Sequence, residues 1–155
     1  MIRPAVPELA YAPLDEIERG VLADLLDAQT RGMTCGPGMM ADDQEHLLDM
    51  FALRLRSIDR FAILMGDRLA GTIEFCHNMD RPMIGFSVHR DMRRMGVFAK
   101  AWRDLHPRYG TIFEAHSWEH NTAARRALLS VGFRETGIIR RQGGSISVAV
   151  MDRSA

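Results

Sequence analysis

Arg90, Arg93 and Arg94 crowd into one short turn, His89-Arg90-Asp91-Met92-Arg93-Arg94, and Gly96 follows almost at once. An apolar stretch, Met83-Ile84-Gly85-Phe86-Ser87-Val88, runs directly into that turn. A helical pattern leaves it, with Val97, Ala101 and Leu105 four apart and Phe98 and Trp102 alongside. The first amides of a helix have no partner inside it, and the helix dipole places partial positive charge there. A phosphate can take those amides while nearby arginines add charge-assisted hydrogen bonds. The centre of the chain therefore reads as an anion cradle on the end of a strand. The cradle is neither the Gly-x4-Gly-Lys-Ser/Thr loop of nucleoside triphosphate sites nor the Gly-x-Gly-x-x-Gly dinucleotide fingerprint.

The elements that must hold this cradle can be read on both sides of it. Two β-rich runs, residues 60–65 and 69–77, flank Gly66-Asp67 and form the clearest hairpin. Gly71 lies inside the second run, where a backbone approaches closely or bulges. Residues 78–81 turn the chain into the strand that ends at Val88. After the cradle helix, which stops before His106-Pro107, residues 111–118 alternate. Ile112, Glu114 and His116 share one face, and Thr111, Phe113, Ala115 and Ser117 the other. Asn121 can then cap a helix that Gly132 ends. Two last strands, residues 133–139 and 145–151, are joined by Gln142-Gly143-Gly144.

Upstream, a short strand is expected over residues 8–14. Asp15 is expected to cap a helix with Ile17, Val21, Leu25 and Ala28 on one face. Residues 31–40 hold three glycines and a proline and read as a loop, with Met33, Met39 and Met40 as an adaptable apolar surface. A second helix starts near Asp42-Asp43, with Leu47, Phe51 and Leu55 four apart.

Composition bounds the class. A chain of 155 residues is long enough for one domain, residues 1–155, with its own core. The formal net charge of zero gives no overall pull toward nucleic acid or an anionic membrane. No stretch approaches a membrane span, and the amino-terminal residues do not read as a signal peptide. Cys35 and Cys76 are far apart, which fits a reducing cytoplasm without disulfides. Cys76-His77 is adjacent rather than spaced as a metal pair, so no metal is expected. Lys100 is the only lysine, a preference for arginine that reads as genome composition.

Two motifs together resemble the GNAT superfamily of acyl-CoA N-acyltransferases. The first is Arg93-Arg94-Met95-Gly96-Val97-Phe98 after Val88, similar to the pyrophosphate-binding Arg/Gln-x-x-Gly-x-Gly/Ala motif, with Phe98 where a small residue is usual. The second is Asn121-x-x-Ala124, a helix, then Gly132-Phe133. With the hairpin they cover residues 60–151. The resemblance implies an α/β (α+β) fold: a mixed, mostly antiparallel twisted sheet of about seven strands with about four helices, strands 4 and 5 splayed. It implies acetyl-CoA as cosubstrate, an amine of a small molecule or protein as acceptor, and pairing into a homodimer as in many relatives. Cofactor contacts would fall on Val88, Arg93, Arg94, Met95, Gly96, Val97, Phe98, Asn121 and Ala124. The two upstream helices would lie next to the acceptor.

Acyl transfer from a thioester needs a neutral amine held against the carbonyl and a donor for the developing oxyanion. The amide near Val88 would be that donor. His116 stands where some members carry a glutamate base, and imidazole titrates near neutrality. Glu114, on the same face, could assist or replace it, and His89 is a third candidate. Leu128 occupies the position of the tyrosine acid found in many relatives. Ser117 or Tyr109 would then protonate the thiolate, or it leaves unprotonated, since a free thiol has a pKa near 8.5. The competing expectation is a non-catalytic domain of this fold that binds CoA or a protein partner.

Overall fold

The computed structural model describes residues 8–27, 44–141 and 144–152. The strands are β1 (Ala10–Pro13), β2 (Ile58–Met65), β3 (Arg68–Cys76), β4 (Met83–Val88), β5 (Phe113–Trp118), β6 (Arg134–Arg141) and β7 (Gly144–Met151). The helices are α1 (Arg19–Leu25), α2 (Gln44–Phe51), α3 (Val97–Leu105) and α4 (Thr122–Ser130). One sheet runs β1-β2-β3-β4-β5-β7-β6. Every neighbouring pair is antiparallel except β4 and β5, which are parallel. This is the mixed, mostly antiparallel architecture expected above.

The Gly66-Asp67 hairpin forms as its residues demand, with Gly66 at φ +64 and Met65 opposite Arg68. The register slips between Ile63 and Leu64, so Ala70 is the extra residue of a bulge in β3. Beside it, a Cβ on Gly71 would lie 2.2 Å from the Ser87 carbonyl oxygen. Only glycine lets β3 and the end of β4 approach this closely.

Alternation puts Ile73, Phe75, Ile84, Phe113 and Ala115 on one face, in a single core with Val97, Phe98, Ala101, Trp102 and Leu105 of α3. All five α3 positions singled out by spacing are buried. Removing each large side chain from water contributes about 1.5–3 kcal/mol. The opposite face, with Ala62 and Leu69, carries a second core built with α1 and α2. Gln44 holds those helices together, its Nε2 donating to the Ala23 and Leu26 carbonyl oxygens at 2.9 and 3.0 Å.

Three upstream expectations need correction. Leu14–Glu16 form a 3-10 turn, and α1 starts later, capped by Glu18 rather than Asp15. Asp15 pairs with Arg54 instead. Packing against α2 and the Ala62–Leu69 face buries Leu22 and Leu25 and leaves Val21 exposed, with Ile17 before the helix. Likewise α2 buries Leu47 and Leu48 and ends at Phe51, so Leu55 falls beyond it and is exposed. Ala28, Met33, Cys35, Met39, Met40, Asp42, Asp43, Gln142 and Gly143 lie outside the described residues.

Candidate active site

A gap opens in the sheet where the parallel pair meets. β4 and β5 touch in register only at Met83–Glu114 and Ile84–Ala115. Beyond Ile84 and Ala115 the two strands continue unpaired to Val88 and Trp118. Because they run in the same direction, both carboxyl ends open at one edge of the sheet. The first motif follows β4 and the second follows β5, so this splay brings their residues to the same mouth.

The gap has an identifiable donor. The His89 N–H bonds the Ala70 carbonyl oxygen at 2.7 Å, which turns that amide toward β3. Strand alternation then turns the Val88 amide the other way, toward β5. The Val88 carbonyl agrees: it accepts from Arg93 Nε at 3.3 Å rather than from β3.

The turn after Val88 is shaped by local chemistry. Arg90–Met92 form a 3-10 turn with Met92 buried as its anchor. Arg94 sits at φ +65 and Gly96 at φ +77, two left-handed residues that swing the chain into α3. Gly96 is the N-cap and brings no side-chain cap, so no side chain of the cap residue satisfies the first amides of α3. Phe98 turns into the core, 5% exposed, and stacks on Phe86 at 3.9 Å between ring centroids. The bulky residue at this position therefore fills the space under β4 rather than the mouth of the helix. Met95 is exposed at the turn.

Across the gap, His116 and Glu114 share a face of β5, with His116 Nε2 2.9 Å from Glu114 Oε2. Both side chains are about one-third exposed, at 31% and 28%. Each therefore remains open to solvent from its own side of the bond. This face is also the face of α1 and α2. Ser117 points to the opposite face, in register with Ser147.

His89 occupies a different place. It is buried, its Nδ1 accepts from the Asp91 N–H, and its Nε2 meets Asp24 Oδ2. With both ring nitrogens engaged it has no open lone pair for an ammonium proton, and we set it aside as a base. Tyr109 lies at the far end of the sheet, bonded to Asp59 at 2.6 Å and stacked on Phe75. Burial, then Asp59, push its pKa up, which suits neither the position nor the task of an acid. Leu128 is core. Asn121 caps α4, its Oδ1 accepting from the Ala124 N–H at 3.1 Å. Gly132 at φ +108 ends that helix, and Phe133 packs edge-on to Trp102. No group of three or more His, Cys, Asp or Glu side chains among the described residues could hold a metal ion.

No family model matches this chain, and no curated protein does. Solved structures match along nearly the whole length. An acetyltransferase from Salmonella typhimurium that modifies the N-terminal serine of a 50S ribosomal subunit protein superposes with a TM-score of 0.76, at 14% identity, covering 95% of each chain. A microcin self-immunity acetyltransferase, solved with acetyl-CoA and AMP, gives 0.72 at 15% identity, over 92% of this chain and 91% of the other. The spermidine N-acetyltransferase of Vibrio cholerae, solved with CoA and spermine, gives 0.70 at 13%, over 92% and 94%. At these identities the likeness is one of fold, and the fold is that of the GNAT acetyltransferases.

Proposed function

We propose that this protein is an N-acetyltransferase that moves an acetyl group from acetyl-CoA to a primary amine. The observation that carries the reading is the splay of β4 from β5 with the Val88 amide turned into the gap. A pantetheine arm is a chain of amides, and an unpaired strand edge offers it the hydrogen bonds a neighbouring strand would make. Its diphosphate then falls at the start of α3, where the first amides, Arg93 and Arg94 supply positive charge. The solved structures of the same fold that hold acetyl-CoA or CoA support this choice of cosubstrate.

In this reading the Val88 amide stabilises the oxyanion that forms as the amine attacks the thioester carbonyl. His116, oriented by Glu114, removes the ammonium proton directly or through a water. Leu128 brings no hydroxyl to the departing sulfur, and a thiolate of pKa near 8.5 can leave without one. Stabilisation of the fold by acetyl-CoA, followed by thiol release with a panel of amines, tests the proposal. Binding without release would favour the CoA-binding, non-catalytic domain. No binding of acetyl-CoA would end both of these and leave a non-catalytic domain that binds a protein partner.

A further inference from the structure

His89 follows Val88 directly and is the only buried histidine among the described residues. Its Nδ1 accepts from the Asp91 N–H at 3.1 Å. A ring nitrogen that accepts carries no proton, so the proton sits on Nε2. That N–H donates to Asp24 Oδ2 at 2.8 Å. Arg90, the next residue, donates from Nη1 to the Asp24 carbonyl oxygen at 2.8 Å and from Nη2 to Asp24 Oδ1 at 2.9 Å. Its Nη1 also lies 3.5 Å from Asp27 Oδ2. His89 first, then Arg90, hold the Asp24 carboxyl below its usual range.

Asp24 belongs to α1, 65 positions earlier in the chain. Two consecutive residues after the strand end that presents the Val88 amide are thus strapped to a helix on the side of the sheet where His116 and Glu114 emerge. On its other side the same strand end is fixed by the His89 N–H to Ala70. The imidazole makes two separable contacts, one within the cofactor turn and one across to the helix.

We propose that His89 is a positioning residue that sets the spacing between α1 and the cofactor turn, its Nδ1 shaping the turn and its Nε2 placing the helix that borders the acceptor. The kinetic consequence rests on the acyl-transfer reading above. Two substitutions divide the contacts. An asparagine oxygen can take the place of Nδ1 and still accept from Asp91, whereas a glutamine amide nitrogen can take the place of Nε2 and still donate to Asp24.

The test measures the KM for the acceptor, the Kd for acetyl-CoA, and amide hydrogen exchange in both variants. His89→Asn should raise the acceptor KM about tenfold, leave the acetyl-CoA Kd within about twofold, and speed exchange in α1 but not in residues 90–92. His89→Gln should do the reverse, weakening acetyl-CoA about tenfold and speeding exchange in residues 90–92 only. Asp24→Ala should show the asparagine pattern more strongly, because it also removes the Arg90 Nη2 bond to Oδ1, and His89→Asn should add nothing to it when the two are combined. Variants that shift both constants together, or that shift neither, overturn the proposal. Should the unaltered protein bind no acetyl-CoA, the acyl-transfer reading fails, and the exchange pattern alone decides the strap: divided exchange supports it, undivided exchange overturns it.

Discussion

The ring of Phe98 lies against that of Phe86, centroids 3.9 Å apart and planes within 18°. This contact joins the first turn of α3 to the strand whose end carries the Val88 amide, and it holds the large side chain away from the helix mouth. Phe98→Ala should cost about 3–5 kcal/mol in urea unfolding, because the side chain is buried on a well-packed face. The variant's surviving folded fraction should still bind acetyl-CoA. A variant of full stability with tighter cofactor binding would show that Phe98 occupies the cradle.

Gly71 makes an independent case for the geometry of the same strand end. A Cβ there would meet the Ser87 carbonyl oxygen at 2.2 Å and the Val88 Cα at 3.2 Å. Backbone cannot yield as a side chain does, so Gly71→Ala must push β4 aside. We expect a loss of about 1–3 kcal/mol in stability, with weaker acetyl-CoA binding by calorimetry. Unchanged affinity would separate the Val88 position from cofactor binding.

Arg93 and Arg94 should be felt in salt dependence as well as affinity. Replacing both by alanine removes two cations beside the diphosphate position, and we expect acetyl-CoA to bind about tenfold to a hundredfold more weakly. The loss should shrink at high salt, where the two guanidinium charges of the unaltered protein are already screened. Affinity of the double variant equal to that of the unaltered protein at low salt would remove the cradle from this turn.

His116→Ala should lower kcat with the acetyl-CoA Kd unchanged, since the side chain borders the gap rather than the diphosphate position. A general base contributes about a hundredfold to ten-thousandfold. Glu114→Gln should lower kcat less, because it removes an orienting partner and leaves the imidazole. Full activity of the His116 variant across the pH range would assign the proton to another group.

The pH dependence of stability has a traceable source where β1 meets α3. Tyr11 donates to Asp104 Oδ2 at 2.6 Å. That bond, reinforced by Lys100, lowers the Asp104 pKa below its ordinary 3.8. Burial first, then Asp104, raise the Tyr11 pKa above its ordinary 10.0. A lowered carboxyl contributes stability above its unfolded value and loses it as pH falls through the folded value. A raised phenol contributes below its unfolded value and loses it as pH rises through the folded one. Stability should therefore fall below pH 3.8 and again above pH 10.0. Tyr11→Phe should flatten both limbs in urea unfolding across pH, and unaltered limbs would place the dependence elsewhere.

What the residues alone could reveal follows from the range of the forces involved. The buried face of α3 was legible because five apolar positions at helical spacing leave a single way to pack. The alternation of β5 placed Glu114 and His116 together for the same reason. The hairpin and the glycine at position 71 were legible through backbone geometry that few residues adopt. The face of α1 was misread because a 3-10 turn and the Glu18 cap leave Ile17 outside the helix, and contacts with distant residues, Leu47, Leu48 and Ala62, select Leu22 and Leu25. His89 stood as a third candidate base because nothing near it in the chain announces Asp24. The side to which Phe98 turns was equally hidden, since it depends on Phe86 across the strand.

The most direct test of the account is a titration with CoA followed by amide chemical shifts. We expect the largest changes at the Val88 amide and at the amides that open α3, Val97 and Phe98, with the β1 and β6 edges unmoved. Changes confined to another part of the sheet, or none at millimolar CoA, would contradict the placement of the cofactor between β4 and β5.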